Sequence, residues 1–311
     1  MRSKFTIYLL IALVLVSLIG CAGQPSSTED DGRIKVVTTI GQLTDTVSIV
    51  GGDLVNVTGL MGPGIDPHLY VATESNVGLL QEAEIIFYNG LFLEAQMNDI
   101  LEQLAKNKHV VPVGENIPTD KLLDSPIYQD EHDPHIWFDV SIWMQVVEVV
   151  RDTLTEYDPE NSTTYQENAA AYLLELENLH AYVLDQASKI PEEKRVLITA
   201  HDAFNYFGQA YGFEVLGLQG ISTAAEAGTG DVQTLAEFIV EHQIPAIFIE
   251  SSVPVRNIEA LQAAVASRGF QVEIGGELFS DAMGNVGTFE GTYIGMVSHN
   301  IDTIASALIG Q

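Results

Sequence analysis

Cysteine occurs once in the 311 residues, at Cys21. A single thiol excludes an internal disulfide framework and any zinc module built on cysteine pairs. Basic residues are scarce too: 13 Lys and Arg stand against 43 Asp and Glu, for a formal charge of −30. So acidic a chain repels phosphate backbones and attracts cations, which disfavours nucleic acid as a partner. The apolar run at residues 5–20 is short of the roughly 20 residues that a membrane-spanning helix needs. Missing as well are the H-E-x-x-H helix of zinc hydrolases and the G-x-S-x-G nucleophile turn. Disorder is excluded by the 46% of hydrophobic residues, and the length suits two cores rather than one.

The ends of that short run give it a meaning. Arg2 and Lys4 precede it and Gly20-Cys21 closes it, which is the pattern of a secretory signal, and the closing pair resembles a bacterial or archaeal lipobox. The expectation is a signal peptide over 1–20, with Cys21 as the first mature residue, lipidated on sulfur and holding the protein on the outer face of the cell membrane. Residues 21–33, polar and rich in Ser, Asp and Gly, read as a flexible tether.

From Ile34 onward the chain has an α/β pattern. Strands are predicted over 34–40, 55–60, 84–89 and 109–113, and a second series over 195–200, 214–218, 246–250 and 270–274, with helical stretches between them. This implies two (β/α)4-type lobes, an N-terminal one over 34–158 and a C-terminal one over 191–311. Between them, Asp158-Pro159-Glu160 opens a predicted helix over 159–190. Tyr165, Ala169, Tyr172, Leu176, Leu179 and Val183 recur at alternating steps of four and three, one apolar stripe meant to pack along both lobes.

Eight histidines are present. His109, His180, His242 and His299 fall on predicted regular elements or near the last helix, where surface or packing roles suffice. Asp-Pro-His occurs twice, at Asp66-Pro67-His68 and Asp133-Pro134-His135. Proline fixes its own φ and pushes the preceding Asp toward extended geometry, which makes a stiff loop that aims the next side chain. Alone, the motif fits a turn as well as a ligand. His201 directly follows the apolar run 196–200, and Asp281 follows the last predicted strand. Ligands of open α/β sheets gather at the carboxyl ends of strands, so His68, His135, His201 and Asp281 can converge on a cleft between the lobes. Three imidazoles and a carboxylate suit Zn²⁺, with Mn²⁺ accessible to a bidentate carboxylate. Of the neighbouring acids, Asp202 reads as a helix cap, while Asp66 and Asp133 are open between loop caps and acceptors for the rings.

The paired Asp-Pro-His motifs, His201-Asp202-Ala203-Phe204, Ile249-Glu250-Ser251-Ser252 and Gly276-Glu277-Leu278-Phe279-Ser280-Asp281 together resemble the TroA-like zinc- and manganese-binding lipoproteins of cluster A-I ABC importers, over essentially the whole chain from Ile34. The resemblance implies two (β/α)4 lobes joined by one long backbone helix, and metal at their interface on His68, His135, His201 and Asp281. It also implies delivery to an ABC permease driven by a cytoplasmic ATPase, by a receptor able to work as a monomer. His at the third position, where manganese-selective relatives tend to have Glu, leans the site toward Zn²⁺. The His-rich loop of zinc-dedicated relatives is absent, since 114–133 holds only His132. The family's Glu-Pro-Thr-Pro-Ser is Val71-Ala72-Thr73-Glu74-Ser75 here, so the contacts of that helix start do not carry over. Because one helix connects the lobes, release is expected from a local shift that loosens His201 and Asp281. Competing readings are a secreted zinc hydrolase on the same residues, disfavoured by a fourth ligand where water would sit, and a surface adhesin, for which the chain has no motif.

Overall fold

Alternation of β-rich and helical runs becomes a set of parallel sheets with helices packed on them. The structure, a computed structural model, describes residues 32–125 and 131–310; the expected signal peptide, Cys21 and the tether up to residue 31 lie outside the described residues. The first half runs β1 (Ile34–Thr38), α1 (Gly41–Gly51), β2 (Val55–Gly59), α2 (Glu74–Glu82), β3 (Ile85–Tyr88), α3 (Asn98–Ala105), β4 (His109–Pro112) and α4 (Val140–Tyr157). Its four strands make one parallel sheet in the order β2-β1-β3-β4. After α5 (Ser162–Ser188) come β5 (Val196–His201), α6 (Asn205–Tyr211), β6 (Glu214–Gln219), α7 (Thr229–His242), β7 (Ala246–Glu250), α8 (Arg256–Ala266), β8 (Glu273–Leu278) and α9 (Tyr293–Ile309). Here two parallel ladders, β5-β6 and β7-β8, lie side by side through β5 and β7. Both halves thus place their first strand between the second and the third, which opens a switch point at the carboxyl ends of β1 and β3 and of β5 and β7.

All six residues of the predicted stripe on α5 are buried. At roughly 1.5–3 kcal/mol for each large apolar side chain taken out of water, that face is a strong anchor. It packs against α1 and α4 of the first half and against α6 and α9 of the second. The α-helix begins three residues after Pro159, because Pro159–Asn161 forms a 3₁₀ turn in which the Asp158 carboxylate accepts from Asn161 Nδ2 at 2.7 Å and from the Tyr165 hydroxyl at 2.8 Å.

Two local expectations shift. β8 lies later than the apolar run 270–274 suggests and continues through Gly275 and Gly276, with a bulge opposite Ile247 and Phe248. A Cβ on Gly275 would come within 2.7 Å of Ala307 and of Phe248, and one on Gly276 within 2.6 Å of Thr303, so these glycines let α9 lie directly on the strand. Asp202 does not cap a helix. The chain makes a further turn, with Ala203 N donating to the His201 carbonyl, and α6 starts behind Phe204 with no side-chain cap. At the altered helix start after the first Asp-Pro-His, Thr73 and Asn76 form a reciprocal capping box for α2.

One core joins the first half, α5, α6, α9 and one face of the β5–β7 layer; a second lies between the other face of that layer and α7 and α8. Among the described residues no helix is long and apolar enough to cross a membrane.

Candidate metal centre

Each Asp-Pro-His loop is fixed by its own aspartate. Asp66 Oδ1 accepts from the His68 amide at 2.9 Å, and Asp133 Oδ1 from the His135 amide at 3.0 Å. Asp133 Oδ1 also meets His135 Nδ1 at 2.7 Å, which puts the proton on that nitrogen and turns Nε2 outward as a free donor pair. Asp66 leaves the His68 ring alone. The two acids left open by the sequence therefore divide: both cap their loops, and only Asp133 also orients an imidazole.

In the second half the brace is long-range. His201 closes β5, and Glu250, closing β7 next to it, accepts from the His201 amide at 2.8 Å and faces His201 Nδ1 at 2.5 Å. Glu250 belongs to the quoted motif, yet no role follows from the sequence. An acid ending the otherwise apolar strand Ala246–Glu250, just where His201 ends its own, was the available signal. Asp281 follows β8, and its main chain is held from the first half: Trp137 Nε1 donates to the Ser280 carbonyl at 3.1 Å, and Gln42 Nε2 to the Asp281 carbonyl at 3.4 Å. Tyr293, at the start of α9, gives its hydroxyl to the Trp137 carbonyl at 2.7 Å.

These elements bring His68, His135, His201 and Asp281 together. One donor atom from each lies within 4.8 Å of the other three. His68 Nε2 is 3.3 Å from His135 Nε2, and Asp281 Oδ2 is 3.2 Å from His201 Nε2 and 3.9 Å from His68 Nε2; Asp281 Oδ1 is 3.5 Å from His135 Nε2. A tetrahedral zinc with bonds of about 2.1 Å spaces its ligands about 3.4 Å apart, so the spacing fits one ion. All four residues are buried. His201 Nε2 and both Asp281 oxygens have no hydrogen-bond partner outside this cluster. Buried polar atoms that meet only one another are costly unless a cation, a proton or a metal ion, satisfies them.

Electrostatics split the rings. Burial drives the His68 pKa down to about 3, so this imidazole stays neutral. Burial pulls His201 down as well, but the Asp281 and Glu250 carboxylates outweigh it and hold the ring well above its usual value. Burial pushes Asp281 up, yet the three imidazoles, His201 foremost, bring it well below the ordinary carboxylate range.

Other histidines are occupied elsewhere: His180 Nδ1 meets the Tyr211 hydroxyl, His299 Nε2 the Glu277 carbonyl, and His242 Nδ1 the Phe238 carbonyl, while His109 packs edge-on against Tyr157. A second buried glutamate, Glu94, lies at the switch point of the first half and carries no local motif that would announce it. It accepts from the Thr39 hydroxyl at 2.6 Å and from the amides of Asn89 and Gly90. Asn89 Nδ2 in turn holds the Pro134 carbonyl, so Glu94 supports the His135 loop at one remove.

Comparison with known proteins gives a consistent result. Residues 36–307 match the family model described as ZnuA, zinc-uptake complex component A, periplasmic. The zinc-binding protein TroA of Treponema pallidum is 52% identical over 278 residues, covering 89% of this chain and 90% of that protein. The manganese-binding lipoprotein MntA of Bacillus subtilis is 41% identical over 302 residues, covering 96% and 98%. A solved structure of Treponema pallidum TroA superimposes with a TM-score of 0.87, over 89% of this chain and 99% of that one.

Proposed function

The chain belongs to the ZnuA family of zinc-uptake components, and from that premise we propose that it is an extracytoplasmic receptor that captures one Zn²⁺ or Mn²⁺ ion on His68, His135, His201 and Asp281 and passes it to an ABC permease driven by a cytoplasmic ATPase. It is a binding protein of transport and not an enzyme, as its relatives are. The metal is cargo. The observation that carries the assignment is the convergence of four buried donor groups, three of whose atoms have no other partner.

We assign Zn²⁺ as the preferred cargo, because three nitrogens and one oxygen at tetrahedral spacing suit it better than the oxygen-rich, higher coordination of Mn²⁺. Carboxylates behind the His135 and His201 rings raise the basicity of the facing nitrogens and help offset the ion's charge. Lipid on Cys21, after removal of 1–20, would keep this receptor at the membrane as a monomer. We take 34–158 and 191–311 as its lobes, with the 159–190 segment as the rod between them. The ties from Gln42 and Trp137 to Ser280 and Asp281 keep that carboxylate with His68 and His135, so release falls to His201 rather than to His201 and Asp281 together.

The test is titration calorimetry with Zn²⁺ and Mn²⁺ on the wild type and on His135→Ala and Asp281→Ala. One ion per chain is expected, bound about three orders of magnitude more weakly when one of four ligands is lost. Unchanged affinity in both variants would remove the assignment.

A further inference from the structure

β6 pairs with β5 so that Gln219 lies opposite His201, and the chain leaving Gln219 runs as the segment 220–228 to the start of α7. Gly220 begins this segment and Gly228 ends it. Its first residues come up to His68: Ile221 and Ser222 line a cavity of about 30 Å³ together with His68 and Phe92, enough for about one water. Ile221 and Thr223 are buried, whereas Ala224 and Glu226 are exposed. Thr223 donates its hydroxyl to Asp66 Oδ2 at 2.6 Å, while the other oxygen of that carboxylate holds the His68 amide. One side chain therefore ties the covering segment to the loop that carries a metal ligand.

We propose that segment 220–228 is a flap over the metal centre, and that the Asp66–Thr223 hydrogen bond is its latch: the ion enters and leaves when this bond opens. Thr223 and Asp66 are positioning residues, acting on the rate of exchange and not on the first contacts of the ion. The proposal rests on the metal-binding reading above. A hydrogen bond to a charged acceptor makes opening uphill by about tenfold or more while the bond is present. Thr223→Val keeps the shape and removes the donor; Thr223→Ser keeps the donor.

Stopped-flow exchange of Zn²⁺ on the wild type and both variants tests this, with a chelating dye reporting release and tryptophan fluorescence reporting uptake, Trp137 lying 5.3 Å from the His135 ring. In Thr223→Val both rates are expected to rise about tenfold while the dissociation constant moves less than about threefold, and Thr223→Ser should restore wild-type rates. Unaltered rates in Thr223→Val would overturn the latch. So would faster release alone with a matching loss of affinity, which would mean that Thr223 merely helps to place His68. If Thr223→Val does not fold, Thr223→Ala is read in the same way. Failure of the wild type to bind Zn²⁺ would strike the underlying reading, whereas normal binding with unchanged exchange strikes only the latch.

Discussion

The two halves of the molecule build the same strand order and hold their ligands in different ways. In the first, each histidine is placed by an aspartate two residues before it, across a proline that stiffens the loop. In the second, His201 is held by Glu250, 49 residues away on a neighbouring strand, while the Asp281 carbonyl takes a bond from Gln42 and the adjoining Ser280 carbonyl one from Trp137, each donor more than 140 residues distant. Local bracing makes a ligand stiff as soon as its loop forms. Bracing at a distance makes His201 stiff only once β5 and β7 lie side by side, and Asp281 only once the two halves have met.

The sharpest way to break this comparison is to weaken one brace in each half. Glu250→Gln and Asp133→Asn keep their size and lose their charge. Loss of such a partner typically costs about 10–100-fold in metal affinity. Glu250→Gln is expected at the upper end, because it touches both the amide and the ring of the ligand that no local loop supports. Asp133→Asn should fall at the lower end, since proline still stiffens its loop. Competition against a chelating dye measures both, and equal losses would mean that the halves do not differ as described.

Protons sharpen the same contrast with a smaller effect. At neutral pH His68 is neutral and gives up no proton on binding, while His201, raised by Asp281 and Glu250, carries one that the ion must displace. Affinity should therefore rise about tenfold per pH unit up to the raised pKa of His201 and flatten above it. Calorimetry in buffers of different ionisation enthalpy should detect the released proton. Without metal the two rings act oppositely on stability. The contribution of His201 is full below about 6.5 and is lost as pH rises through its folded pKa, whereas neutral burial of His68 costs stability as pH falls from about 6.5 toward 3.

The smallest expected effect concerns the first half alone. Thr73→Ala removes the cap of α2 and should lower unfolding free energy by about 1 kcal/mol in urea denaturation while leaving Zn²⁺ affinity unchanged. A change in affinity would show that this helix start does reach the metal centre.

Much of this was legible in the sequence, because it is written in short patterns. Alternating runs located seven of the eight strands among the described residues and only the start of the last, the four-and-three stepping of Tyr165 to Val183 located the buried face of α5, and the repeated Asp-Pro-His marked two stiff loops. Gly275 and Gly276 misled, since a glycine that ends a strand and one that admits a helix onto it look alike until the helix is placed.

What the chain determined unaided is therefore whatever depends on neighbours a few residues apart: period, proline stiffness, caps, and the scarcity of positive charge that leaves cations as the natural cargo. The tertiary structure alone decided that Glu250 backs His201, that Asp281 is fastened to the first half, and that Thr223 bonds Asp66 of the His68 loop. Those contacts join residues 49 to 239 positions apart. No local preference encodes them, because they exist only once the sheets and α5 have brought the carboxyl ends of the strands to one place.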